Sequence, residues 1–136
     1  MFQNDVSRQY KENSIYTMSP EELTLMLYNG LIKFLMKAEE AINEKKFDSA
    51  SVNIIRAEDI INEFMITLDM KYDVSKGLML MYDYMYRRLV EANLKKNCEM
   101  VVEVIEYAKE LRDTWQAAMK IAKTGVVNKP LEKIAK

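Results

Sequence analysis

SPEELTLMLYNGLIKFLMKAEEAINE, residues 19–44, decides the fold. Ser19 is placed to accept from the amide of Glu22, the Glu22 carboxylate can reach back to Ser19, and Pro20 stands where a missing N–H costs nothing. A helix therefore starts at Pro20. Its pattern runs unbroken to Ile42 and then meets Lys45-Lys46, so the helix is predicted over Pro20–Glu44. On a wheel, Glu22, Asn29, Lys33, Lys37, Glu40 and Glu44 fall within an arc of roughly 80°. Leu23, Leu27, Gly30, Leu31, Phe34, Ala38 and Ala41 make one apolar face, and Leu25, Tyr28, Ile32, Leu35 and Met36 make a second beside it. The joint apolar arc is roughly 240°, although a bundle helix needs only about three positions in seven.

The same grammar continues outward. Asp48 is the predicted cap of a second helix that runs to about Leu68. DMKYDVS (69–75) is the longest internal connection. A third helix follows from about Lys76 to Leu94, with Asp73 or Ser75 as its cap. Asn97 caps a fourth, which runs to about Lys123 and closes at Thr124-Gly125, where glycine readily takes the left-handed conformation. Long helices joined by short loops lie antiparallel to their neighbours. The predicted class is all-α: an up-down four-helix bundle over 19–124, with a mobile N-terminal segment (1–18) and a short C-terminal tail (125–136). The 136 residues suffice for one domain with a real core, and three glycines and two prolines fit few loops.

Composition removes several classes of function. Net charge is −1, from 20 basic and 21 acidic residues, without the basic excess of a nucleic-acid binder. Arg87-Arg88 and Lys95-Lys96 read as solvated helix-end charges. The absence of histidine removes the usual general base and the Glu-x-x-His pairs of a di-metal bundle enzyme. The three scattered glycines form no phosphate loop. Cys98 has no partner for a disulfide and no base to activate it, so it reads as a neutral surface thiol. No catalytic residue, metal ligand or cofactor is predicted. The polar N-terminus lacks an apolar export core, and the longest apolar runs are about five residues, so a cytoplasmic protein that spans no membrane is expected.

What is left over is apolar surface. The fourth helix needs only a core: Met100, Val101, Val104, Tyr107, Ala108, Leu111, Trp115, Ala118, Met119 and Ala122 share a face opposite its charges. The third, around LMLMYDYMYRRL (78–89), has a core stripe at Leu78, Met81, Met85, Leu89 and Ala92, and an adjoining one at Met79, Tyr82, Tyr86 and Val90. The second has its core stripe at Ala50, Ile54, Ala57, Ile61, Phe64 and Leu68, while Val52, Ile55 and Ile66 point to the far side. Such surplus is covered by a second copy, by the chain's own end or by a partner. Flexible methionines and amphipathic tyrosines suit a groove for an amphipathic helix. The expected partner contacts are Leu25, Tyr28, Ile32, Val52, Ile55, Tyr82, Tyr86 and Val90. A structural bundle that homodimerises through these faces is the alternative, so the expected state is monomer or weak dimer.

YKENSIYTMSPEELTLMLYNGLIKFL (10–35), IINEFMITLDM (60–70), MYDYMYRRLVEANLKKN (81–97) and EYAKELRDTWQAAM (106–119) occur in an order and spacing that resemble the flagellar secretion chaperones of the FliS type. The first nine residues and the tail after Lys123 lie outside the resemblance. It implies a cytoplasmic four-helix bundle without enzymatic activity. It further implies binding of flagellin's C-terminal segment, which is disordered when free and partly helical when bound. Polymerisation is thereby prevented and flagellin stays competent for export. An anti-sigma factor or another flagellar adaptor is a further partner the resemblance allows. By position it supports Leu25, Tyr28, Tyr82, Tyr86 and Val90. It also implies that Tyr10, with Ile15 and Tyr16, covers part of the groove and gives way to client; a staple that closes the bundle end is the other reading. Arg87 and Arg88 either meet an acidic group of the partner or pair with Glu91.

Overall fold

Two cap residues behave as their chemistry requires. The Glu22 amide donates to Ser19 Oγ at 3.2 Å, and the Met100 amide donates to Asn97 Oδ1 at 3.0 Å. They open the first and last of the four helices in the computed structural model, which describes residues 17–124. These are α1 (Pro20–Asn43), α2 (Phe47–Thr67), α3 (Asp73–Lys95) and α4 (Cys98–Lys123). No strand occurs among the described residues. Tyr10, Ile15 and Tyr16, and the tail from Gly125, lie outside them.

The middle helices start earlier than predicted. The residue before α2 is Lys46, which makes no side-chain cap bond, and Asp48 sits within the first turn. There its charge still faces the positive end of the helix dipole. α3 begins at Asp73 because Ser75 ties the connection to the helix: its amide donates to the Tyr72 carbonyl at 3.0 Å and its hydroxyl to the Asp69 carbonyl at 2.5 Å. Ser75 is buried, so this local bonding replaces the side-chain cap expected from it.

Two helices end on a left-handed lysine. Lys45 has φ 59°, with its amide bonded to the Ile42 carbonyl at 3.0 Å and that of Lys46 to Ala41 at 2.8 Å. This is a Schellman closure with lysine where glycine is preferred. Lys96 (φ 50°) closes α3 in the same way, with the Asn97 amide on the Ala92 carbonyl at 3.1 Å. Lys45→Gly is therefore expected to raise stability by about 1 kcal/mol in urea denaturation, as relief of left-handed strain outweighs the entropy glycine adds to the unfolded chain. Lys96→Gly gains less, because the Lys96 ammonium donates to the Asn93 carbonyl at 2.6 Å and to its side-chain oxygen at 2.7 Å.

The helices pack in a circuit: α1 on α2, α2 on α3, α3 on α4 and α4 on α1. Cross-links fix the directions. Trp115 Nε1, late in α4, donates to the carbonyl of Glu21 at the start of α1, at 3.0 Å. Ser51, early in α2, donates to Asn93, late in α3, at 2.9 Å. Neighbours are antiparallel, as short connections demand. Leu31, Leu35, Ile54, Ile61, Met85, Leu89, Val101 and Val104 are fully buried. Ala38, Ala41, Ala50, Ala57, Ala92 and Ala108 fill the positions between them.

The circuit corrects the surplus assigned to α1. Tyr28, Ile32 and Leu35, expected on a second, outward stripe, are buried. Tyr82, on the adjoining stripe of α3, is buried as well. Each helix touches two neighbours, and α1 and α3 also meet across the diagonal through the hydroxyls of Tyr28 and Tyr82. The face such a helix hides is wider than that of a helix in a two-stranded seam.

Candidate functional site

The remaining candidates divide by exposure. Leu25 and Tyr86 are half-buried, Tyr86 packing against the core. Val52, Ile55 and Val90 are exposed, as are Ile66, Leu80 and Leu94. Ile55 and Val90 come together. They line a groove between α2 and α3 of about 380 Å³, with Leu94, Glu58 and the Ser51–Asn93 pair. Leu94, 83% exposed, was not singled out from the sequence. It lies one turn beyond Val90 on the same side, so extending that stripe by four residues finds it. Burial, and next the nearby Asp59, push the Glu58 carboxyl up from its usual range.

A second cavity, also about 380 Å³, opens where α1, α2, α3 and α4 converge near the Glu21–Trp115 bond. Its floor is aromatic. The Phe64 ring lies 4.5 Å from Tyr28 and 5.4 Å from Tyr82, and the two tyrosine hydroxyls are 2.6 Å apart. Burial raises both phenols, with a smaller contribution from each other that adds to Tyr28 and partly offsets the rise at Tyr82. Unfolded tyrosines lose protons near pH 10 while these two hold theirs. Their contribution to stability is thus complete below pH 10 and declines as pH climbs above it, with a slope of up to about 1.4 kcal/mol per pH unit for each phenol. Urea denaturation between pH 9 and 11.5 is expected to show this fall, and Tyr28→Phe is expected to reduce its slope.

On the α3–α4 side, Glu103 Oε1 accepts from Tyr84 Oη and from Arg88 Nε, each at 2.8 Å, and Tyr84 stacks edge-on against Tyr107. Arg88 also reaches Glu91 at 3.6 Å, and Arg87 pairs with Asp83 at 2.9 Å. Both arginines are thus engaged within the chain. Arg88 is half-buried between helices rather than a free helix-end charge.

Known proteins add a decisive observation. The family described as "Flagellar protein FliS" matches residues 2–122, nearly the whole chain. This chain belongs to the FliS family. The match begins before the first quoted segment and takes in the first residues that the sequence resemblance left out. A relative from Bacillus subtilis strain 168, "Flagellar secretion chaperone FliS", is 44% identical over 110 residues, 81% of this chain and 83% of that protein. One of the same description from Escherichia coli strain K12 is 28% identical over 79% of this chain and 82% of its own. A solved structure, "Crystal structure of flagellar chaperone from bacteria", superposes with a TM-score of 0.70 at 21% identity. It covers 87% of this chain and 98% of that one, and shows that the fold is shared.

In this FliS-family chain the described residues hold no cluster of three His, Cys, Asp or Glu side chains placed for a metal ion. Burial first, and then Glu39 and Glu99, push the Cys98 thiol up, away from the reactive thiolate. No helix among the described residues is long and apolar enough to cross a membrane. What the surface offers is grooves and aliphatic side chains.

Proposed function

We propose that this FliS-family chain is a cytoplasmic export chaperone that holds the C-terminal segment of flagellin before secretion, so that flagellin neither polymerises early nor folds out of reach of the export apparatus. The observation that carries this reading is the 44% identity to a flagellar secretion chaperone across four-fifths of both chains. The surface agrees with it. A client that folds on binding loses about 2–5 kcal/mol to ordering, which on the order of 200 Å² of buried apolar area offsets. Val52, Ile55, Val90 and Leu94 offer exposed aliphatic surface of that kind. Tyr10 and Ile15 belong to this reading as a cover that yields to client.

The test is a mixture of the purified chain with a synthetic copy of flagellin's C-terminal segment, followed by far-ultraviolet circular dichroism. Helix beyond the sum of the separate components is expected. If the exposed aliphatics instead join two copies of the chain, no helix is gained and the melting temperature rises with protein concentration.

A further inference from the structure

On the side away from α2, α3 carries a second exposed face. Gly77, Leu80, Met81 and Tyr84 lie on it, and with Tyr107 of α4 they line a shallow hollow of about 410 Å³. Their spacing is i, i+3, i+4, i+7, the four corners of a hole that receives a knob from a facing helix. Leu80, 72% exposed at the rim, is itself such a knob. Gly77 is the odd member. Glycine weakens a helix interior, yet a Cβ added at Gly77 meets no atom within 4 Å. No neighbour among the described residues therefore calls for a glycine there; its missing side chain leaves the backbone open to approach from outside. Tyr84 is held ready by its hydroxyl bond to Glu103 and its edge contact with Tyr107. The charges around Leu80 run in the order Asp73, Lys76, Asp83, Arg87, and all four residues are exposed. Asp73 and Lys76 make no ion pair with the described residues. Arg87 meets Asp83 through Nε at 2.9 Å, and a guanidinium has further donors for a second carboxylate.

We infer that this face docks the same face of a second copy of the chain, with the two α3 helices antiparallel and the two-fold axis at Leu80. Reversing the charge pattern about Leu80 sets Asp73 against Arg87 of the second copy and Lys76 against its Asp83. Each charge meets its opposite, and symmetry makes every pair twice. A parallel pair would set each charge on its own like and be repelled. Asp73, Leu80 and Arg87 are spaced by seven, so they share one line down the helix. Lys76 and Asp83 flank that line on one side, Gly77 and Tyr84 on the other. An antiparallel pair needs this placement, because like flanks face each other across the axis. Tyr84 of each copy then falls against Gly77 of the other, where the absent side chain makes room for the ring. The contact from Asp73 to Arg87 spans about 21 Å at 1.5 Å per residue. That is small for a permanent interface, so the dimer is weak and exchanging. Val52, Ile55, Val90 and Leu94 lie outside this stretch, so the pairing does not depend on the proposed chaperone function.

The test is sedimentation equilibrium of the full chain at low salt, loaded from about 10 μM to about 1 mM. The unaltered chain is expected to pass from single toward paired mass over that range. Leu80→Lys is expected to weaken pairing at least about tenfold, and Gly77→Gln at least about fivefold. Neither is expected to lower the melting temperature of dilute protein, and Gly77→Gln is expected to raise it, because glutamine is the better helix former. Charge reversal reads the register. Asp73→Lys alone and Arg87→Glu alone each bring like charges together and are expected to pair at least about tenfold more weakly. Mixed in equal amounts, the two variants are expected to pair with each other about as well as the unaltered chain does, since both facing pairs are then opposite in sign. An unaltered chain that stays single at about 1 mM would overturn the dimer. Pairing unmoved by Leu80→Lys and Gly77→Gln would overturn the choice of face. A mixture that pairs no better than its components would overturn the antiparallel arrangement.

Discussion

Tyr82→Glu is expected to abolish cooperative folding, or to lower stability by at least about 4 kcal/mol. Tyr82 is 4% exposed, with its ring 5.4 Å from Phe64 and its hydroxyl 2.6 Å from Tyr28. A glutamate there loses the ring contact and leaves a void beside Phe64. Its carboxylate meets one phenol and no cation, so it is either buried charged without a counter-ion or kept neutral by a proton it must bind. Domains of this size are stable by about 5–15 kcal/mol in all, so the loss takes a large share of the total. Tyr82→Phe separates the two contributions. It keeps the ring, strands the Tyr28 hydroxyl, and is expected to cost about 1–2 kcal/mol. Urea denaturation followed by circular dichroism reads both variants. A Tyr82→Glu protein as stable as its parent would place the side chain on the surface.

Ile54 and Ile55 are neighbours in sequence with opposite fates. Ile54 is fully buried, whereas Ile55 is 48% exposed. Ile54→Ala is expected to destabilise by about 3 kcal/mol, the sum of lost transfer energy and the cavity left in a packed interior. Ile55→Ala is expected to change stability by less than about 0.5 kcal/mol, because the lost side chain was half in water. Denaturant titration distinguishes them directly. Binding of the flagellin segment is expected to respond in the opposite order, with the Ile55 variant impaired and the Ile54 variant, where folded, close to normal. Equal destabilisation by the two would mean that α2 is rotated from the orientation described.

Much of this was legible in the sequence, and the reasons are local. Ser19-Pro20 and Asn97 mark helix starts by chemistry that acts within one turn, and both starts are where they were read. The α2 core stripe from Ala50 to Phe64 is buried as its spacing requires, while Val52, Ile55 and Ile66 face out. The sequence misleads where the outcome depends on neighbouring helices. Tyr28, Ile32 and Tyr82 look like surplus on a wheel, which counts one helix at a time, but they are buried where α1 and α3 meet across the bundle. The start of α3 was read late because Ser75 bonds back to Asp69 instead of capping. Ile105 is buried though it was left off the α4 face, which is wider than one stripe for the same reason. The groove that unites Ile55 with Val90 is a property of two helices together, so neither sequence segment contains it. Leu94 is the exception: four residues from Val90, it was within reach of the wheel.

On the proposed function, exposed aliphatic surface on this bundle folds a disordered client segment over itself. Isothermal titration calorimetry of the chain with flagellin's C-terminal segment, repeated at several temperatures, tests it most directly. Saturable binding with a markedly negative heat-capacity change is the expected result, as apolar surface leaves water and the segment orders. Binding whose enthalpy does not vary with temperature, or no binding by a chain that is demonstrably folded, would contradict it.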